Sequence, residues 1–133
     1  MSKEVGTAAI VIVPVMNEDQ LTVEVTVKDM DLDKTYDFIK ENVGGIIDCV
    51  RLDSMNVDMW LHDEGKLIGL TPNPFATVLY FNEFDIMDFI AGPVVLTKGP
   101  DHGGNTTGFT QEELSEFQTT LEELMNKFAE QYN

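Results

Sequence analysis

Eight residues from Leu21 to Lys28, LTVEVTVK, alternate without a break: Leu21, Val23, Val25 and Val27 fall on one side, Thr22, Glu24, Thr26 and Lys28 on the other. A period of two over that length predicts a half-buried strand. Before it, Ala8–Val15 is a continuous apolar run, the pattern of a strand covered on both faces, and the polar link Asn17–Gln20 joins the two as a hairpin. Leu32, Tyr36, Ile39 and Val43 then recur at helical spacing. Asp31 or Asp33 is placed to cap that helix, and Gly44-Gly45 to stop it in a left-handed conformation. Ile46–Leu52 reads as a strand, and Asn56–His62 alternates, with Val57, Met59 and Leu61 inward and Asp58, Trp60 and His62 outward. Asp63–Lys66 is a turn with Gly65 placed for positive φ, after which Leu67–Leu70 returns as a strand. Asn73 caps and Pro74 begins a helix ending near Asn82. Asp85–Gly92 fits a helical turn or a short strand equally, and Pro93–Thr97 is a strand. Thr110 and Glu113 form a capping box for a last helix whose apolar stripe is Leu114, Phe117, Leu121, Leu124, Phe128 and Tyr132.

These elements predict one α+β domain over residues 1–133, with a sheet core at 8–98, a linker at 99–109 that is flexible by composition, and a C-terminal amphipathic helix at 110–132. The sheet is expected to be mostly antiparallel, in the ββαββ order of a β-grasp, followed by a short helix and a last strand. The chain's 133 residues suit a single domain. No apolar run reaches the roughly 18–20 residues of a membrane helix. Glu4 and Pro14 argue against reading the start as a signal peptide. One cysteine, Cys49, allows no intramolecular disulfide, which fits a cytoplasmic setting.

Charge changes the functional picture most. The formal net charge of −16, from 24 acidic against 8 basic residues, repels phosphate backbones and anionic lipid, so direct nucleic-acid and membrane binding are not expected. It favours basic partners, or serves solubility alone. Glu116, Glu123 and Glu130 stand seven residues apart on one side of the last helix. Asp29, Asp31, Asp33 and Asp37 imitate a calcium loop, but Lys34 and Lys40 stand where such a loop needs glycine and a bidentate glutamate. The carboxylates therefore read as a helix entrance. His62 and His102 lack the partners of a zinc site, Cys49 reads as a buried inert thiol, and GGNTTG lacks the lysine of a phosphate loop. No catalytic residue, metal or cofactor is nominated. Trp60, on the polar face of its strand, is either covered by another element or part of a contact surface. Coverage is the expectation, with the last helix as one candidate cover.

The order Gly44-Gly45, Val50-x-Leu52, Glu64-Gly65-Lys66-Leu67-Ile68-Gly69-Leu70, Pro72-Asn73 and Gly92-Pro93-Val94-Val95 resembles the family catalogued as domain of unknown function 3846, small proteins of bacteria, plasmids and bacteriophages. The likeness covers roughly residues 43–113. Two features depart from the family's pattern: Pro74-Phe75 stands where relatives carry basic residues, and YFNEFDIMDF (80–89) is an added stretch. The resemblance implies a phage or mobile-element setting and supplies no activity.

The expected function is a non-enzymatic acidic interaction protein that binds a host protein, in its sharpest form an inhibitor that mimics nucleic-acid charge. The alternative is a small-ligand binder or enzyme with a pocket near the Asp63–Asn73 turn. The apolar stripe of the last helix packs on its own sheet or on a second copy in a homodimer, and the sequence leaves both open.

Overall fold

Glu18 and Asp19 lie at the tip of the first hairpin with φ of 48° and 70°, in a computed structural model that describes residues 5–132. Positive φ at both central residues makes a type I′ turn, whose twist matches that of the strands it joins. Neither residue is glycine, so each adds roughly 1 kcal/mol of strain. A long ladder offsets it: β1 (Ala8–Asn17) and β2 (Gln20–Asp29) pair antiparallel from Ala8 opposite Asp29 to Asn17 opposite Gln20.

Helix α1 (Thr35–Val43) leads to β3 (Ile47–Leu52), a 3-10 turn at Asp53–Met55 and β4 (Val57–His62). Helix α2 (Pro74–Phe84), β5 (Val94–Lys98) and helix α3 (Gln111–Tyr132) complete the chain. The expected ββαββ succession is present, and the last strand enters between its two hairpins. The sheet order is β2-β1-β5-β4-β3, with every neighbouring pair antiparallel.

Alternation divides the side chains of this sheet between two cores. On one face Ile10, Ile12, Met59, Val94 and Leu96 meet α2 and α3. On the other Ala9, Val11 and Val95 meet Ile39 and Val43 of α1, with Trp60 packed against them. Each fully buried side chain of this size contributes roughly 1.5–3 kcal/mol. Leu114, Phe117 and Leu121 of α3 are buried on the chain's own sheet and Leu124 packs beside them, while Phe128 meets Phe81 of α2 edge-on at 6.2 Å. The side chain of Tyr132 lies outside the described residues. The capping box is made: Glu113 N–H donates to Thr110 Oγ1 at 3.2 Å, and Thr110 N–H to Glu113 Oε1 at 2.9 Å.

Several expectations need correction. Lys34, not an aspartate, occupies the cap position of α1, without a side-chain cap; Asp31 instead accepts from Asp33 N–H and shapes the preceding turn. Tyr36 is 60% exposed. Phe38, two positions along, packs toward the core in its place, because the inward stripe runs through 35, 38, 39, 42 and 43. Leu67–Leu70 does not return as a strand but winds through turns, and Gly69 (φ 74°), not Gly65, takes the left-handed conformation. Residues 86–90 are neither helix nor strand. The linker ends inside the fold: Phe109 is buried, and its N–H donates to Ala8 O at 2.7 Å while its carbonyl accepts from Ala8 N–H. Asp58, expected to face outward, is buried and paired with Arg51 Nη1 at 2.9 Å.

Asn73 ties the layers together. It is fully buried. Its Oδ1 caps α2 by accepting from Ala76 N–H, while Nδ2 donates to Ile12 O at 3.1 Å and Gly92 O at 3.0 Å. Substitution by alanine deletes the cap and both donors that Nδ2 gives to buried carbonyls, for an expected loss of about 3 kcal/mol. Asn73→Asp keeps the cap but turns the donor into an acceptor facing two carbonyls. The aspartate's pKa is then raised in the folded state, so the protonated form carries the stability. Relative to wild type, the variant recovers as pH falls toward the unfolded value of about 3.9 and loses stability above it. Urea unfolding of both variants across pH checks this; a loss under about 1 kcal/mol in each would contradict it.

Candidate functional site

Where β4 ends, the segment His62–Asn73 coils rather than extends. Glu64 N–H donates to His62 Nδ1 at 3.0 Å, Ile68 N–H to Glu64 O at 3.1 Å, and Leu70 N–H to Gly65 O at 2.9 Å. The coil is then clamped to the entry of β5 by Asn73 N–H to Ile90 O and Gly92 N–H to Thr71 O, both 2.7 Å. Two glycines permit the clamp. A Cβ on Gly65 would lie 2.6 Å from the Ala91 carbonyl, and Gly92, at φ 92°, lies against Leu70. Side chains larger than hydrogen would push the segments apart.

With its backbone held inward, the coil directs Leu67 and Ile68 outward, at 86% and 56% exposure. The loop after α2 begins at Asp85 in a left-handed conformation and leaves Ile86, Met87 (63%) and Phe89 exposed, with Phe89 and Leu67 lining one cleft. Lys66 joins the two segments: Nζ pairs with the Asp88 carboxylate and lies 4.9 Å from the centre of the Phe89 ring. The lysine holds the Asp88 carboxyl below its ordinary pKa, chiefly through that hydrogen bond. Between the segments is a cleft of about 430 Å³, with Val50, Leu61, Tyr80 and Ile90 at its walls and Asp48, Asp63 and Glu64 among its lining residues. Its chemistry is apolar contact edged by carboxylates, with Lys66 and His62 Nδ1 both engaged in the scaffold.

The structure brings the motif residues Glu64, Gly65 and Lys66 to the cleft itself, and places Gly69, Asn73 and Gly92 in the segments that clamp it. Gly44 ends α1 with φ 93°, and Gly45 packs on the His62 ring. Trp60 is elsewhere, half-buried on the α1 face, its Nε1 donating to the buried Thr97 hydroxyl at 2.9 Å. Its cover is α1, not the terminal helix, which packs on the opposite face. Glu116, Glu123 and Glu130 are exposed on α3 and are not brought to Trp60 or the cleft. The exposed Ile86, Met87 and Phe89 had no sequence signal as site residues, because segment 85–92 carries no clear period.

Among the described residues no three of His, Cys, Asp and Glu converge as a metal site requires, and no helix is long and apolar enough to cross a membrane. The fold and site define a small α+β domain built around a glycine-clamped coil and an acid-edged apolar cleft. The chain belongs to the family described as Domain of unknown function (DUF3846), whose model matches residues 10–122. No curated protein and no solved structure matches it.

Cys49 corrects a further expectation. It is exposed, not buried, because β3 is an edge strand. Partial burial, then the Asp58 and Asp48 carboxylates, push its thiol up to about 12. The native state thus favours the protonated thiol, a contribution that is constant below the unfolded pKa of about 8.5 and declines as pH rises beyond it. Its thiolate is therefore scarce at pH 8 compared with that of an ordinary thiol. Ellman's reagent is therefore expected to react with the native protein at least about a hundredfold more slowly than with the urea-unfolded chain; equal rates would contradict the raised pKa.

Proposed function

We propose that this is a non-enzymatic interaction protein that docks a basic, leucine-rich segment of a protein partner over the cleft between coil 63–70 and loop 85–89. One observation carries the reading. On a chain of net charge −16, Leu67, Ile68, Ile86, Met87 and Phe89 are exposed on the two segments that flank one cleft. Large apolar side chains grouped on a monomer's surface mark contact sites, and carboxylates at the edge select a cationic partner and repel acidic ones. In the mobile-element setting implied by the family resemblance, that partner is a host protein in the cytoplasm.

Two other readings have specific support. The cleft volume of about 430 Å³ falls within the range of small-ligand sites. The exposed Glu116, Glu123 and Glu130 favour a nucleic-acid mimic, but residues seven apart on a helix present one carboxylate per about 10 Å, against one charge per about 1.7 Å of duplex DNA. Charge density therefore ranks the apolar cleft above the glutamate column.

The test uses a fluorescein-labelled amphipathic peptide of leucine and lysine, followed by anisotropy. Saturable binding is expected, weakened about tenfold or more by Leu67→Asp or Met87→Asp and weakened by added salt. Both side chains are exposed, so the fold tolerates these changes. Absence of saturable binding, or equal affinity in wild type and both variants, would overturn the reading.

A further inference from the structure

Strand β2 has a partner on one side only, since it ends the sheet. A two-residue hairpin closes on a hydrogen-bonded pair, here Asn17 with Gln20. Counting from that pair, Gln20, Thr22, Glu24, Thr26 and Lys28 direct their backbone groups to β1. Leu21, Val23, Val25, Val27 and Asp29 direct theirs outward. The edge is ten residues long, against a usual strand of about five or six. It contains no proline, and its register with β1 is unbroken by a bulge. Those are two of the devices by which monomeric proteins block strand addition. Val25 and Val27 are 43% and 42% exposed along it. Beside Val25 a groove of about 550 Å³ opens between the strand and α3, with Phe75, Leu121 and Met125 in its lining.

We propose that this edge pairs with the same edge of a second copy, joining two five-stranded sheets into one continuous ten-stranded sheet. The strand is complementary to itself. In a two-fold antiparallel pairing centred on Thr26, Glu24 lies opposite the partner's Lys28, Val25 opposite the partner's Val27, and Thr26 opposite the partner's Thr26. The other half repeats these contacts by symmetry, as a closed two-fold interface must. No other two-fold register sets Glu24 across from Lys28. Opposite charges, β-branched pairs and facing threonines are the cross-strand combinations that stabilise antiparallel sheets. Lys28 Nζ already donates to Asn42 Oδ1 at 2.8 Å and, as an ammonium with three donors, can serve Glu24 as well. Each β2 brings two carboxylates and one lysine to the pairing, a net charge of −1 on a chain whose net charge is −16. The cleft borders β3 and β4 at the other end of the sheet, so this interface is independent of the function proposed for it and leaves it open.

Sedimentation equilibrium of the full chain from low to high micromolar concentration tests the proposal. The mass is expected to rise from 14.9 kDa toward twice that value. Val25→Pro removes an outward N–H while leaving the β1 ladder its donors, and is expected to hold the chain monomeric with an unchanged circular dichroism spectrum. Glu24→Lys and Lys28→Glu are each expected to weaken the dimer about tenfold or more, and the double exchange to restore it. That arm remains decisive if the proline variant does not fold. A wild type that stays at 14.9 kDa throughout, a folded Val25→Pro protein that still dimerises, or a double exchange that fails to restore association would each overturn the proposal.

Discussion

Between the two central strands the ladder runs out at Ile12 opposite Val94, and the residue before Val94 is Pro93, which has no N–H to continue it. The side-chain amide of Asn73 takes over there. Its two Nδ2 protons go to Ile12 O and Gly92 O, one on each central segment, while its Oδ1 caps α2. One buried side chain thus closes the end of the sheet and starts the helix that covers it. An unmade hydrogen bond at a buried carbonyl costs about 1–3 kcal/mol, so the position admits few side chains. Only an amide presents both a donor pair and an acceptor at this size.

The cleft depends on the same residue. Asn73 fixes Ile90 through its own N–H, Gly92 is fixed in turn through Thr71 O, and Gly65 is thereby brought against the Ala91 carbonyl. The coil between these anchors has no strand to join, so Leu67 and Ile68 point outward instead of into a sheet. The exposed apolar surface follows from a backbone clamp. In this reading the glycines and asparagine of the family motif build the platform, and the side chains of the coil and of loop 85–89 meet the partner. At the far side of the sheet, β2 presents a second surface of different kind, made of backbone and alternating side chains.

Local features were legible in the chain. The capping box of Thr110 and Glu113 and the Asn73-Pro74 start of α2 express contacts between residues close in sequence. What was not legible depends on sequence-distant partners. Asn73 read as a cap, but its bonds to Ile12 and Gly92 span 61 and 19 residues. Cys49 sits in an apolar-looking strand and proved exposed because β3 is at an edge, a fact of strand order. Val25 and Val27 read as half-buried, yet at the opposite edge no strand flanks them. Tyr36 and Phe38 both satisfy a helical period, and only the direction of the sheet decides which turns inward. Phe109 lies among glycines and threonines that suggest a tether, and its burial depends on pairing with Ala8 at the other end of the chain. Leu67–Leu70 has the composition of a strand, and the clamp overrides it.

The central claim is that the Asn73 amide joins α2, β1 and β5 into one cooperative unit. Native-state hydrogen exchange measures this directly. The amides of Asn73, Ala76 and Gly92, bonded to Ile90 O, Asn73 Oδ1 and Thr71 O, should exchange only through global unfolding, with the same opening free energy as the β1 core amides at Ile10 and Val11. An opening easier by more than about 1 kcal/mol at those three amides, with β1 still protected, would contradict the claim. It would show that the clasp opens locally and that the core holds without it.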